Sequence, residues 1–337
     1  MTEQTMPATR VARAIEHLNI KVGRGLEIGP LANPIVPKSE AVVYYVDVMP
    51  AETLRDHYAE DPAVRTERVV DLDFVRFKDG VTRSLADTAG SAAPFQWVVA
   101  SHVIEHVPDF IGFLADVASI LEDRGRLALV VPDRRYCFDA LRPPTTVGEM
   151  LLAHDNGDTR PSVRAVFDHF ASAVGFDPAQ LWRGIPADPA NRMYSLDTAW
   201  ELVQRRRSTT EYLDTHTWLF TPTSFVEQLS ILARLGLHDF TVIGISPTAV
   251  DDYEFFVTLE RIPRDAAAEE RNAAIASGFP PVAENPVPPP EQPASTPADQ
   301  AGTSAVTMEV SRREQRLIEF KRRLLLPVHR IIRRIKR

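Results

Sequence analysis

The chain has 337 residues, a formal net charge of −8, 44% hydrophobic residues and one cysteine. This length and composition allow one or two domains with a sizeable core, and the negative charge argues against general nucleic-acid binding. A single cysteine excludes an intramolecular disulfide, so nothing indicates an oxidising compartment. Because the sequence shows neither an apolar signal-peptide core at its start nor a run long enough to span a membrane, we expect a cytoplasmic protein.

The first elements predicted along the chain are a helix and two strands. Apolar residues spaced three and four apart predict a helix over residues 8–19. Gly25-Leu26-Glu27-Ile28 predicts a buried strand that stops at Gly29, where the missing Cβ permits a tight turn and close approach of a ligand. A second strand, residues 42–46, ends on Asp47. A carboxylate at that point can accept hydrogen bonds from both hydroxyls of a ribose.

The loop after the first strand differs from a dinucleotide-binding loop. It reads Gly29-Pro30-Leu31-Ala32-Asn33 and keeps one of the three fingerprint glycines. Without those glycines and a following helix N-terminus, such a loop is poorly suited to a pyrophosphate. We therefore predict a nucleoside ligand without phosphates. A nucleotide-dependent oxidoreductase is an alternative that the missing glycines disfavour.

The rest of the chain up to residue 262 alternates strands with helices, which is typical of a parallel sheet covered on both faces. Three further strands are predicted at residues 68–71, 95–100 and 125–131, with a helix from Phe110 to Leu121. A later helix is predicted from Thr221 to Leu235, with Gly236 as its cap. Two final strands, residues 237–243 and 253–260, are close enough in sequence to form a hairpin.

The fourth strand runs directly into Ser101-His102-Val103-Ile104-Glu105-His106. Together with the Gly29 loop and Asp47, this segment resembles the class I S-adenosylmethionine-dependent methyltransferases, in their small-molecule and glycan branch, over roughly residues 20–262. The resemblance implies a Rossmann-like α/β sheet, mostly parallel with a terminal antiparallel hairpin, and S-adenosyl-L-methionine as cofactor. It also implies a set of cofactor contacts: Glu27, Gly29, Pro30, Asp47, Asp71 or Asp73 after the third strand, Ser101 and His102.

Two histidines are candidates for catalysis. His106 is a candidate base for a substrate hydroxyl, because an unperturbed histidine has a pKa of about 6.5. His216, in the segment Asp214-Thr215-His216-Thr217-Trp218, is the second. Alternatively, Glu105 and His106 only hold their loop by hydrogen bonds. The His-x-x-Glu-His spacing also matches one group of zinc peptidases. That pattern requires a continuous helix, whereas here a strand precedes the motif and Pro108 follows it, so we expect no metal.

Residues 140–215 form a long insert on the ligand side of the predicted sheet, and we expect a helical lid that selects the acceptor. Five aromatic residues in or beside it either line that lid or form its own core: Trp182, Tyr194, Trp200, Tyr212 and Trp218. Relatives with this style of loop resemble enzymes encoded with glycosyltransferases. That resemblance favours O-methylation of a glycan or another small molecule.

The composition changes after the methyltransferase domain, which is predicted to span residues 1–262. Residues 263–308 predict a Pro/Ala-rich, mobile linker. Residues 309–337 carry eleven Lys or Arg against three Glu and predict a basic amphipathic helix. Such a helix suits an anionic membrane surface, a partner helix, or the acidic body of the same protein. A non-catalytic scaffold that recruits partners through this tail is a further alternative.

Overall fold

A computed structural model describes residues 9–59, 64–210 and 212–284 of the chain. Its strands are β1 (Arg24–Ile28), β2 (Val42–Asp47), β3 (Phe74–Val75), β4 (Phe77–Lys78), β5 (Val81–Thr82), β6 (Phe95–Ser101), β7 (Leu121–Pro132), β8 (Phe240–Ser246) and β9 (Glu254–Arg261). Its α-helices are α1 (Arg10–Ala14), α2 (Ala51–His57), α3 (Leu85–Ala89), α4 (Phe110–Ile120), α5 (Val147–Asp155), α6 (Val163–Ser172), α7 (Pro178–Trp182), α8 (Leu196–Ser208), α9 (Pro222–Arg234) and α10 (Ala268–Ser277).

Seven strands form the central sheet, in the order β3-β2-β1-β6-β7-β9-β8. The first five of these are parallel, and β9 runs antiparallel between β7 and β8. This confirms the predicted Rossmann-like sheet with a terminal antiparallel hairpin. The carboxyl ends of β1, β2, β6 and β7 meet at one edge, called here the carboxyl edge, and β9 begins there because Glu254 pairs with Pro132. Ligands of open α/β sheets bind at this edge.

The two faces of the sheet are covered differently. On one face, helices α3, α4, α5 and α9 pack over a core that includes Leu26, Val98 and Leu129. The other face is covered by α1 and by irregular chain, with Ile35 and Val36 packed near the sheet. Residues 29–41, which connect β1 to β2, contain no helix, so the predicted alternation of strand and helix fails at this connection.

A buried carboxylate stabilises this irregular connection. Glu27 in β1 is 1% exposed. Its Oε1 accepts a hydrogen bond from the Ile35 amide at 2.6 Å, and its Oε2 accepts one from the Val36 amide at 2.9 Å. The Tyr45 hydroxyl donates to the Val36 carbonyl at 2.9 Å. Glu27 thus satisfies backbone donors that a helix would otherwise satisfy internally.

The third strand lies later than the sequence predicts. β3 is Phe74–Val75, not residues 68–71, because pairing with β2 starts at Phe74 opposite Val46. Val69 is buried instead in a small cluster beside Leu54 of α2. The apolar pair at Val69 and Val70 therefore reflects packing against a helix, which sequence alternation cannot distinguish from burial in a strand.

The insert divides into two parts. Helix α5 belongs to the main layer, because Met150 is fully buried in the sheet core. Helices α6 and α8 form a separate small core around Val166, Val203 and Leu213. Trp182 is buried and stacks on Tyr136, with 4.1 Å between ring centroids. Two other aromatics remain about half exposed: Tyr212 (46%) and Trp200 (51%).

The predicted linker begins too early. Within residues 263–284, α10 packs its Ile275 against Ala233 and Ile262, and the Val242 amide donates to the Gly278 carbonyl at 2.8 Å. The remainder of the linker and the tail helix of residues 309–337 lie outside the described residues, so both stay predictions. Among the helices that are described, none combines the length and the hydropathy needed to cross a bilayer.

Replacement of Glu27 by alanine tests whether this carboxylate stabilises the β1–β2 connection. Two buried amides would lose their acceptor, and each such loss costs about 1–3 kcal/mol. We expect the free energy of unfolding in urea to fall by about 2–4 kcal/mol in total. The control is Glu40→Ala, an exposed residue in the same connection. Equal stability of the two variants would contradict a stabilising role for Glu27.

Candidate functional site

The turn after β1 requires glycine. Gly29 has φ of +66°, in the left-handed region that favours glycine. A Cβ added there would lie 3.0 Å from Val103 Cγ2, in the loop after β6. The backbone of Gly29 therefore approaches that loop closely at the carboxyl edge. Pro30, the next residue, is buried and so contributes mainly to the shape of the turn.

Asp47 ends β2 at the same edge. Its Oδ1 accepts a hydrogen bond from the Val48 amide at 2.6 Å. Burial raises the pKa of this carboxyl, against the lowering effect of the Val48 and Met49 amides. The structure thus places Asp47 beside the Gly29 turn, where the sequence predicts a ribose ligand.

Asp71 and Asp73 do not share this position. Both precede β3 instead of following it. Asp71 has a side chain that is 98% exposed and forms an ion pair with Arg55. Asp73 accepts from the Tyr45 amide at 2.7 Å and forms an ion pair with Lys38. The prediction that one of them follows the third strand is therefore wrong, because that strand begins only at Phe74. Their contact with the cofactor stays a prediction. Glu27 is buried, and both of its carboxylate oxygens accept hydrogen bonds from the loop amides.

Ser101 and His102 belong to a polar cluster that includes the N-terminal helix. Arg10 of α1 donates to Ser101 Oγ at 2.8 Å and to Glu254 Oε1 at 2.7 Å. His102 Nε2 lies 2.8 Å from Glu254 Oε2. Burial lowers the pKa of His102, but Glu105 and Glu254 outweigh it and raise that pKa to about 9. His102 is therefore a cation at neutral pH.

Glu105 lies at the centre of the site. It is 0% exposed, and neither carboxylate oxygen has a hydrogen-bond partner among the described residues. Its Oε1 lies 3.2 Å from His102 Nδ1 and 3.9 Å from His106 Nε2. Burial raises the pKa of Glu105, but these histidines outweigh it and lower the pKa overall. Residues 103–109 form turns without a helix, so the motif lacks the helical geometry of the zinc peptidases.

His106 is paired with an acid from the end of the insert. Its Nδ1 lies 2.8 Å from Asp214 Oδ1, and 26% of its side chain is exposed. Burial lowers the pKa of His106, but Asp214 and Glu105 raise it to about 9. The expectation of an unperturbed pKa is therefore wrong, and this side chain carries a proton at neutral pH.

His216 is the buried counterpart of His106. Its Nδ1 lies 2.6 Å from Asp139 Oδ2, and its ring meets that of His106 edge to face, with 4.6 Å between centroids. Asp139 also forms a 2.8 Å ion pair with Arg142. The structure thus brings the two predicted catalytic histidines together. Sequence reasoning missed Asp139, because nothing in the spacing relates it to a histidine 77 residues later.

Tyr212 is a second residue whose position sequence reasoning did not identify. Its hydroxyl donates to the His106 carbonyl at 3.3 Å. Burial and the nearby carboxylates of Asp214, Glu105 and Asp47 raise its pKa. Tyr212 therefore lies between the Asp47 side of the carboxyl edge and the histidines.

Comparison with known proteins identifies the family. A family model described as a methyltransferase domain matches residues 7–230, more than half of the chain. The chain belongs to this methyltransferase family. It is accordingly an S-adenosylmethionine-dependent enzyme, which confirms the resemblance, the enzyme class and the cofactor. The nucleotide-dependent oxidoreductase and non-catalytic scaffold are not supported. No curated protein matches the sequence.

Solved structures with a similar fold are distant. The N-methyltransferase NodS of Bradyrhizobium japonicum WM9, in complex with S-adenosylhomocysteine, is 11% identical over 74% of this chain and 83% of its own, with a TM-score of 0.31. The S-adenosylmethionine-dependent methyltransferase SibL, in its apo form, is 14% identical over 76% of this chain and 55% of its own, with a TM-score of 0.36. A structure concerned with converting a disulfide bond into a thioacetal in echinomycin biosynthesis is 10% identical over 78% of this chain and 85% of its own, with a TM-score of 0.35. Likenesses at this level do not inform the choice of substrate.

The residues at the carboxyl edge fit this cofactor. The cofactor supplies a methyl group already activated on a sulfonium. The Gly29 turn offers backbone without a Cβ, and Asp47 offers a carboxylate suited to the two ribose hydroxyls. No helix N-terminus follows Gly29, which agrees with a ligand that has no phosphates.

Replacement of Asp47 by alanine tests the ribose contact. Loss of charge-assisted hydrogen bonds should weaken binding of S-adenosylmethionine by about 1–3 kcal/mol, or about 5–150-fold in Kd. Asp71→Ala is the matched control, because Asp71 is also an acid near β3 but is exposed to solvent. Calorimetric titration of both folded variants gives the measurement. If Asp47→Ala binds as tightly as Asp71→Ala, Asp47 does not hold the cofactor.

Proposed function

We propose that this enzyme transfers a methyl group to a hydroxyl of a glycan or another small-molecule acceptor. The supporting observation is the arrangement of His106 and His216, each beside a carboxylate, at the same sheet edge as the Gly29 turn and Asp47. A hydroxyl must lose its proton as its oxygen is methylated, whereas a neutral amine can attack before it loses one. A cluster of histidines and acids therefore favours an oxygen acceptor.

The protein has two tasks in such a reaction. It aligns the acceptor oxygen with the methyl carbon and the leaving sulfur, which is the larger part of catalysis for an activated methyl donor. It also stabilises the oxygen as the oxygen–carbon bond forms and the proton leaves. We assign the second task to the group of Glu105, His106 and His216, because His106 is the member of this group that is partly exposed at the edge. The acceptor proton passes to the neutral form of His106, which becomes populated as the pH approaches its pKa of about 9.

The lid supports a polar acceptor with an apolar face. Tyr212 and Trp200 are about half exposed, although both are large aromatic residues. Tyr212 is tied to the carbonyl of His106 and so lies directly beside the proposed acceptor position. Aromatic rings combine an apolar face with polar edges, which suits the stacked face of a sugar ring.

Release of S-adenosylhomocysteine against a panel of acceptors tests this proposal. The panel contains sugars, nucleotide-activated sugars and lipid-linked oligosaccharides with free hydroxyls, and amines of similar size. We expect turnover with a hydroxyl acceptor. We also expect His106→Asn to lower the rate by about 10²–10⁴ and to leave cofactor affinity nearly unchanged, which is the usual effect of removing a group that assists proton transfer.

The control for this experiment is His154→Asn. His154 has the same kind of pairing, with its Nδ1 2.8 Å from Asp109 Oδ2, but it lies outside the proposed site. The His154→Asn variant should release S-adenosylhomocysteine at the rate of the unchanged enzyme. Turnover confined to amines, or an unaffected rate in His106→Asn, would overturn the oxygen-acceptor proposal.

We also propose that the basic tail brings the enzyme to the inner face of an anionic membrane. The apolar residues of the tail recur at spacings of three and four among its arginines: Leu317, Phe320, Leu324, Val328, Ile331 and Ile335. This pattern suits a helix lying in the headgroup region. Pro327 disfavours the rival of a long coiled coil with a partner helix. Such attachment would place the enzyme near lipid-linked glycans.

Co-sedimentation with vesicles tests the tail. Full-length protein should sediment with vesicles that contain phosphatidylserine and should lose this association as salt is added, because basic residues bind the surface electrostatically. A chain ending at residue 300, and full-length protein with neutral vesicles, are the controls. Equal sedimentation of the two chains with anionic vesicles, or none at low salt, would exclude the membrane role.

A further inference from the structure

We propose that Glu105, His106 and His216 form a binding site for a divalent transition-metal ion. One ligand atom from each residue lies within 4.8 Å of the other two. Two residues come from the loop after β6 and the third from the segment that follows the insert. The proposal that an ion binds here rests on this geometry alone. Only its use in activating an acceptor hydroxyl depends on the proposed methyl transfer.

The strongest observation is the buried carboxylate of Glu105, which has an ion-pair neighbour in His102 but no hydrogen bond among the described residues. Both oxygens are buried and lack hydrogen bonds among the described residues, and the residue is 0% exposed. A buried charged group without hydrogen bonds is costly, and buried charges in proteins are paired or coordinate metals. The nearest groups are histidine nitrogens, at 3.2 Å in His102 and 3.9 Å in His106. A cation between Glu105 and the histidines would satisfy these oxygens.

The two histidines are oriented as metal ligands usually are. In each one, Nδ1 lies beside a carboxylate, Asp214 for His106 and Asp139 for His216. In metal sites the ligating histidine commonly directs its other ring nitrogen to a carboxylate, which fixes the ring and raises its basicity as a ligand. This leaves Nε2 of both rings for coordination once the ion displaces the proton that His106 carries at neutral pH. The Nε2 of His106 already lies on the Glu105 side.

The donor set selects the kind of ion. Two imidazoles and one carboxylate suit zinc and similar ions, whereas magnesium and calcium prefer oxygen ligands. Bonds of about 2.0–2.2 Å would bring the three ligand atoms to about 3.3 Å from one another. The 3.9 Å separation of His106 and Glu105 would therefore shorten by roughly half an ångström, and separations in the group of up to 4.8 Å would shorten by up to about 1.5 Å through side-chain rotation.

The site would remain open on the acceptor side. Three protein ligands leave a fourth position free in tetrahedral coordination, as in catalytic zinc sites. His106, with 26% of its side chain exposed, faces the cleft. An acceptor hydroxyl in that position would lose its proton more easily, because the ion stabilises the oxygen anion. His102, the first histidine of the motif, is not a ligand here, since its Nε2 faces Glu254.

The direct test is metal binding by the full-length protein without any acceptor. After removal of metal with a chelator, we expect calorimetry to show one Zn²⁺ per chain, and Co²⁺ to give the visible absorption bands of a low-symmetry nitrogen and oxygen site. Glu105→Gln and His216→Asn should each weaken Zn²⁺ binding by at least about 100-fold, since loss of an outer-sphere partner already costs about 10–100-fold. Asp139→Asn removes such an outer-sphere partner and should weaken Zn²⁺ binding by about 10–100-fold.

His154→Asn is the matched control, because it removes a histidine from a histidine–carboxylate pair that belongs to no three-ligand group among the described residues. It should bind Zn²⁺ as the unchanged protein does. Retained affinity for S-adenosylhomocysteine shows that each variant is folded. Absence of stoichiometric Zn²⁺ binding would overturn the proposal, as would equal binding by Glu105→Gln and His154→Asn. Methyl transfer that proceeds equally with and without chelator would refute the catalytic use of the ion but leave the proposed function intact.

Discussion

The site depends on one pair of backbone hydrogen bonds. The amides of Thr217 and Trp218 both donate to the carbonyl of Glu105, at 2.7 and 3.2 Å. These bonds join the loop after β6 to the chain that returns from the insert. The Trp218 indole adds a bond to the Val107 carbonyl at 2.6 Å. Because this segment is held in place, His216 lies against His106. Two other residues of the insert also contact this segment. Arg142 donates to the His216 carbonyl at 2.9 Å, and the His216 amide donates to His169 Nδ1 at 3.1 Å.

Many charged groups lie together at the carboxyl edge, where the loop after β6 meets the other segments. Positive and negative groups alternate through contacts from Arg10 to Glu254, His102 and Glu105. Alternation offsets part of the cost of removing each charge from water. It also fixes the side chains, because each is held from two sides. Glu105 is the exception, since its oxygens have near neighbours but no hydrogen bonds. This exception is the observation on which the proposed metal site rests.

The part of the site proposed to bind the cofactor is stabilised by a different interaction. Most of its shape comes from Glu27, which binds the Ile35 and Val36 amides and so stabilises a connection with no helix. A connection of this kind has no aligned N-terminal amides to bind phosphate. It suits a cofactor whose polar groups are a ribose and an amino acid. Glu27 thus shapes the binding site indirectly, by holding the backbone of the connection after Gly29.

The sequence by itself determined the sheet, the order of its elements and the family, because long apolar runs and a glycine turn are local signals. Strands β1, β2, β6 and β7 and the position of Asp47 follow from such signals. The third strand did not, because Val69 is buried against a helix, and apolar residues look alike in either environment. Only the tertiary structure decided which polar residues share the site. His216 lies 77 residues from Asp139, and Asp214 meets His106 across the whole insert. Such pairs form because folding brings distant loops to one edge. The pKa of His106 is then raised by Asp214 and Glu105, neighbours that no local sequence pattern specifies.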